Sequence, residues 1–115
     1  MKPTVNRVAS VIPSSNLVRS VALWERVLGT PPTFVDGTRW AQFDTPTGRI
    51  CLAGTDGVED GAALMLKIDG GLDEARQDFV EAGFDVTSIE AGPHEMRCVA
   101  TDAAGAVVIL YAAPI

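Results

Sequence analysis

The sequence predicts an α+β fold: two tandem βαβββ modules forming a curved mixed sheet around a concave groove. Three observations predict it. Residues 16–29 (NLVRSVALWERVLG) read as an amphipathic helix set between β-rich segments. The same order of segments, with a weaker helix, recurs downstream. A polar, glycine-rich stretch at residues 54–61 (GTDGVEDG) separates the two copies. Pairing Gly29 with Gly83 and Gly48 with Gly105 offsets the copies by roughly 55 residues. One such unit leaves a sheet face uncovered, whereas two side by side enclose a shared concavity, the natural place for a ligand.

Residues 5–12 (VNRVASVI) are rich in β-branched side chains and open the first module as a strand. In the helix that follows, Leu17, Val21, Trp24 and Leu28 recur at helical spacing, with Ala22, Leu23 and Val27 widening the apolar stripe. Asn16 is suited to cap the first turn, because its side-chain oxygen can accept from an unpaired N–H. Gly29 is suited to end the helix, and Pro31-Pro32 cannot continue it. Asp36-Gly37 is the strongest hairpin signal in the chain, with residues 38–44 returning as a strand. Thr45-Pro46-Thr47-Gly48 makes a second turn, and residues 49–53 (RICLA) a short closing strand.

The second module opens with a strand at residues 62–68 (AALMLKI). A helix over 72–82 follows, with Leu72, Ala75, Phe79 and Ala82 on one side and Asp73 and Glu74 at the positive end of its dipole. Strands are expected at 84–89, 95–101 and 106–112, with a loop at 90–94 and a turn at Asp102-Ala103-Ala104-Gly105. The chain therefore reads as one domain: module one at 5–53, the linker at 54–61 and module two at 62–113.

The 115 residues suffice for one ordinary core, and 47% apolar with 21% charged residues is a globular composition. No apolar run approaches the length of a membrane span. The first residues lack the apolar segment of a signal peptide, and two cysteines, Cys51 and Cys98, make no disulfide framework. A reduced, cytoplasmic setting is expected. A net charge of −6 with nine scattered Lys and Arg residues argues against nucleic acid as a partner. The same charge serves solubility and would favour a cationic or neutral small molecule.

The residues at 16–29 resemble the helix signature D-L-x-x-S-x-x-F-Y-x-x-x-L-G of the glyoxalase, bleomycin-resistance and extradiol dioxygenase superfamily, whose fold is the vicinal oxygen chelate fold. Asp102-Ala103-Ala104-Gly105 resembles that superfamily's D-P-x-G turn, and Thr45-Pro46-Thr47-Gly48 occupies the equivalent place in the first half. The resemblance implies a divalent metal held by His, Gln or Glu on the opening and closing strands of each module. It also implies a homodimer. The positions that correspond here are Ala9, Leu52, Ala63 and Ile109. None offers a lone pair to a metal, so no metal and no cofactor is expected.

The remaining candidates are read one by one. His94 beside Glu95 is a loop histidine or a ligand contact; neighbours on a strand point to opposite faces, so the two make no dyad in one pocket. Cys51, next to Leu52, should face the helix as buried filler, and Cys98 has no neighbouring base to make it a nucleophile. Trp24 belongs to the helix stripe. Trp40, near Gln42 on a strand of mixed polarity, divides between core and pocket wall. Met65 shares parity with Ala63, and Tyr111 with Ile109, so both should face the groove.

The expected function is metal-independent binding of a cationic or planar small molecule by a homodimer, in the manner of the drug-sequestering bleomycin-resistance branch. Trp40, Gln42, Leu52, Met65, His94, Ile109 and Tyr111 would contact the ligand. The alternative is a lyase, isomerase or dioxygenase of the same superfamily with an unorthodox metal site, which would involve His94. A third reading is a module whose groove serves a protein partner.

Overall fold

The computed structural model describes residues 3–46, 48–55 and 61–114. The expected linker falls largely outside them, as does Thr47 of the second turn. The elements run β1 (Thr4–Pro13), α1 (Leu17–Leu28), β2 (Phe34–Asp36), β3 (Trp40–Thr45) and β4 (Gly48–Ala53). They continue β5 (Ala63–Asp69), α2 (Leu72–Glu81), β6 (Asp85–Val86), β7 (Glu90–Ala91), β8 (Met96–Thr101) and β9 (Val107–Ala112). This is an α+β chain in which a βαβββ order occurs twice, the second time with β7 inserted. The chain groups into two compact units, Ala9–Ala62 and Met1–Val8 with Ala63–Ile115, so β1 contributes its first half to one and its second half to the other.

In the Ala9–Ala62 unit the strand order is β2-β3-β4-β1. The two hairpins are antiparallel, and β4 meets β1 in parallel. The helix covers one face. Leu17, Ala41, Phe43 and Leu52 are buried there, with Ile12, Val21, Trp24, Leu28 and Ile50 packed around them. Burying side chains the size of Phe43 and Leu52 stabilises by roughly 1.5–3 kcal/mol each. The stripe Leu17, Val21, Trp24 and Leu28 is as the periodicity predicts. Its widening is not: Leu23 and Val27 are exposed, as is Ala22. At 100° per residue, positions 23 and 27 fall on the side of the helix away from that stripe.

Both ends of α1 match their sequence signals. The Asn16 Oδ1 accepts from the Arg19 N–H at 3.2 Å. Gly29 ends the helix at φ 72°, a left-handed conformation that disfavours a Cβ, while its N–H donates to the Glu25 carbonyl. The hairpin after β2 is longer than expected. Residues 37–39 form its turn, closed by the Arg39 N–H donating to the Asp36 carbonyl, while the Arg39 and Thr38 carbonyls accept from the Gly54 and Thr55 N–H groups.

The second unit orders its strands β5-β9-β8-β6, with β7 also on β8 and the first half of β1 beside β5. Here β5 and β9 are parallel, and β8 pairs antiparallel with β6, β7 and β9. Beneath α2 lie Ile68, Leu72, Ala75, Cys98 and Leu110, with Leu66, Phe79, Val86, Ile89, Met96, Val108 and Ala112 at the margin. Ala82, expected on the same side, is exposed at the end of the helix. The expected strand at 84–89 shrinks to Asp85–Val86, and part of the expected loop pairs as β7. The cause lies at Thr87. Its N–H donates to the Val99 carbonyl, its Oγ1 accepts the Val99 N–H at 2.9 Å, and its own carbonyl accepts from Arg76 Nε at 2.7 Å. Side-chain bonds replace the ladder at that point and redirect the chain.

Candidate functional site

In each unit the helix covers one face of the strands, so strand parity identifies the residues that turn the other way. In the Ala9–Ala62 unit, Ile12, Ala41, Phe43, Ile50 and Leu52 lie under α1. Their neighbours Val11, Trp40, Gln42, Asp44, Arg49 and Cys51 therefore occupy the opposite face. The registers agree: Phe34, Gln42, Cys51 and Val11 form one row across the four strands, and Asp36, Trp40, Ala53 and Pro13 the next.

This reverses one pair of expectations. Leu52, expected on the groove wall, is fully buried under α1, and Cys51, expected under the helix, takes the other face. The pleat assigns adjacent residues to opposite faces, so a one-residue error in phase exchanges them. Trp40 and Gln42 are both half-buried on the helix-free face, two residues apart along β3. Trp24 is core, as expected.

Asp44 organises the polar part of this face. Arg49 donates to it through Nε at 2.6 Å and through Nη2 at 3.3 Å. The Thr33 Oγ1 and Gln42 Nε2 reach its Oδ2 at 2.8 and 3.4 Å. These donors, Arg49 foremost, favour the carboxylate over its partial burial and lower its pKa from an ordinary 3.8 to about 2. Asp36 lies 4.0 Å from Arg39 on the same hairpin.

In the second unit, the even-numbered Leu66, Ile68, Cys98, Val108 and Leu110 lie under α2. Met65, Lys67, Ile109, Tyr111, Arg97 and Val99 consequently share the other face. Met65, Ile109 and Val99 form an apolar row, and Lys67, Tyr111 and Arg97 a polar one beside it. Met65, Lys67, Tyr111 and Arg97 are half-buried, whereas Ile109, expected to contact a ligand, is only 2% exposed. The Arg97 Nη1 reaches the Glu95 Oε1 at 3.4 Å. His94 is exposed in the segment before β8, and Glu95 beside it is half-buried. Cys98 lies beneath α2, where burial pushes its thiol up from the usual range, against the pull of the Arg76 charge.

A depression of about 390 Å³ opens at the N-terminus of α1, lined by Ser14, Ser15, Asn16, Leu17, Val18, Thr38, Gly54 and Thr55. The sequence offers no signal for it beyond the helix cap. Its polar groups are engaged locally: the Ser14 and Ser20 hydroxyls meet at 2.6 Å, the Asn16 N–H donates to Ser14 Oγ, and Asn16 Oδ1 caps the helix.

No sequence-family profile and no curated protein matches the chain. Solved structures do. A glyoxalase/bleomycin resistance protein/dioxygenase superfamily member from Vibrio splendidus 12B01 superimposes with a TM-score of 0.70 at 12% identity, over 95% of this chain and 99% of its own. This chain has the vicinal oxygen chelate fold. A structure described as NAD-dependent benzaldehyde dehydrogenase from Legionella pneumophila has a TM-score of 0.82 at 16% identity, covering 93% of this chain and 99% of that one. With 2,2',3-trihydroxybiphenyl 1,2-dioxygenase from Sphingomonas wittichii strain RW1 the TM-score is 0.55 at 12% identity, over 100% of this chain and 42% of the enzyme.

Placed on the vicinal oxygen chelate fold, the residues do not fit the divalent metal of its enzymes. Ala9, Ala63 and Ile109 are aliphatic and buried, Leu52 lies under the helix, and its face-turned neighbour Cys51 sits between Val11 and Gln42 in the ladder. Among the described residues no three His, Cys, Asp or Glu side chains gather to hold an ion. No described helix is long and apolar enough to cross a membrane.

Proposed function

We propose that the protein binds a small molecule stoichiometrically and without a metal, in the bleomycin-resistance manner. The observation that carries this reading is the aliphatic character of the positions where metal-dependent relatives of this fold place their ligands: Ala9, Ala63 and Ile109. The helix-free faces supply suitable contact surface. One presents Trp40 and Gln42; the other presents Met65 and Tyr111 over Ile109, with His94 at its margin. An indole and a phenol stack against planar bodies, and a methionine adapts to their outline. The homodimer implied by the resemblance belongs to the same proposal, and Val18, Leu23 and Val27 on α1 offer exposed apolar surface for it.

Thermal-shift screening and equilibrium dialysis against neutral and cationic planar compounds test the reading. It expects saturable binding that Trp40→Ala or Tyr111→Ala weakens and that chelators leave unchanged. Stoichiometric metal retained after metal-supplemented purification, with a turnover abolished by His94→Ala, would overturn it in favour of a metal-dependent enzyme.

A further inference from the structure

The amide of Gln42 is held in one orientation, and that orientation has a consequence for what can bind beside it. Asp44 is ionised and already engaged by Arg49 and Thr33, and a carboxylate only accepts hydrogen bonds. The Gln42 side chain must therefore turn its NH₂ group toward Asp44, where Nε2 lies 3.4 Å from Oδ2. The flipped amide would set two oxygens against each other. Among the described residues its Oε1 and second N–H have no further side-chain partner, so they remain as an adjacent acceptor and donor. Such an edge pairs with a complementary donor and acceptor in one plane, as glutamine does with the edge of adenine.

The surroundings narrow the occupant. Trp40 lies two residues along β3 on the same face, about 7 Å away by strand rise. Phe34, 43% exposed, stands directly opposite Gln42 across the β2–β3 ladder. The two aromatic residues thus neighbour the amide, one across the ladder and one along the strand, and stand diagonal to each other. The local charge is balanced, since Asp44 meets Arg49 and Asp36 meets Arg39. The net charge of the whole chain favours cations, but this patch offers no uncompensated carboxylate to hold one.

We propose that Gln42 reads the edge of a neutral, planar nitrogen heterocycle carrying a lactam or an amino-imine pair, stacked on Trp40, with Asp44 as the residue that positions the amide. This rests on the small-molecule-binding reading and names its ligand class on the β2–β3 face.

The test uses the full chain and three probes of one shape: isoquinolin-1-one, its N-methyl derivative and naphthalene, titrated by calorimetry or ligand-observed NMR. The lactam is expected to bind about tenfold more tightly than the N-methyl form, the loss expected when a buried donor–acceptor pair is left unmade. Gln42→Met should abolish that preference, and Asp44→Asn should reduce it by letting the amide flip, the ratio of the two lactam affinities within each variant being the quantity read. Retained melting temperatures check that the variants fold. Equal affinity for the two lactams, or a preference that survives Gln42→Met, overturns this assignment and leaves the binding reading standing. Failure of all three probes to bind overturns the assignment, and the broader reading then falls only if the wider screen also finds no ligand.

Discussion

Asp44 shows how one residue couples fold, face and pH. Its side chain is 37% exposed, so solvent screens part of its attraction to Arg49, yet three side chains converge on it. Folding lowers its pKa from 3.8 to about 2, so the folded state is favoured wherever the carboxylate is charged. For a depressed carboxylate this stabilisation is complete above its unfolded pKa and disappears as pH falls through its folded value. The gap in melting temperature between the protein and Asp44→Asn should be constant near neutrality, then close between about pH 4 and pH 2. A gap unchanged across that window would mean that the charge of Asp44 does not contribute. The neighbouring pair Cys51 and Leu52 makes the complementary point. Both are fully buried, and the sequence offers no way to tell which of two adjacent apolar residues lies under the helix.

At the level of elements, capping and close approach decide where segments end. The first helix is bounded by Asn16 and Gly29 as its pattern predicts, because both act through bonds within a single turn. The turn after β2 is held twice, locally by the Arg39 N–H on the Asp36 carbonyl and also by a distant segment. Gly54 and Thr55 bond back to Arg39 and Thr38, and a Cβ on Gly54 would run into the Thr38 carbonyl oxygen. That oxygen belongs to the backbone and cannot swing aside. Gly54→Ala should therefore destabilise by about 1–3 kcal/mol in urea unfolding, as steric overpacking does. Gly48→Ala, whose Cβ would meet nothing within 4 Å, is the control and should be close to neutral. Equal effects at the two positions would refute the close-approach explanation.

For the whole molecule, the division of β1 is the main organising fact. Thr4–Pro13 is one strand, yet its residues up to Val8 group with the Ala63–Ile115 segment and the rest with α1 and its strands. The Asn6 Nδ2 donates to Asp69 Oδ2 at 2.7 Å within the former group. Cutting the chain at the glycine-rich stretch should therefore harm the halves unequally. A fragment of residues 62–115 loses the strand beside β5 and leaves its edge unpaired, a template for aggregation. A fragment of residues 9–62 keeps its unit whole. Circular dichroism and light scattering should find the first fragment disordered or aggregated, and adding a peptide of residues 1–13 should reduce the scattering. A soluble, fully structured 62–115 fragment would show that β1 is dispensable there.

Most of the element order was legible in the sequence because its causes are local: helical periodicity, Asn16 and Gly29 at the ends of α1, the turns before β3 and β9, and the repetition of the whole pattern. The aliphatic character of Ala9, Ala63 and Ile109 was legible as well, since a missing donor is a property of the residue itself. Tertiary structure decided the rest. Which of Cys51 and Leu52 lies under α1 depends on strand phase, which packing selects among nearly equal alternatives. The shortening of β6 depends on Arg76 and Val99 bonding to Thr87 from remote points in the chain. The orientation of the Gln42 amide depends on Asp44, which Arg49 and Thr33 already engage as an acceptor. Sequence determines what each residue can donate, accept or bury; only the folded chain decides which of those capacities remain available to a ligand.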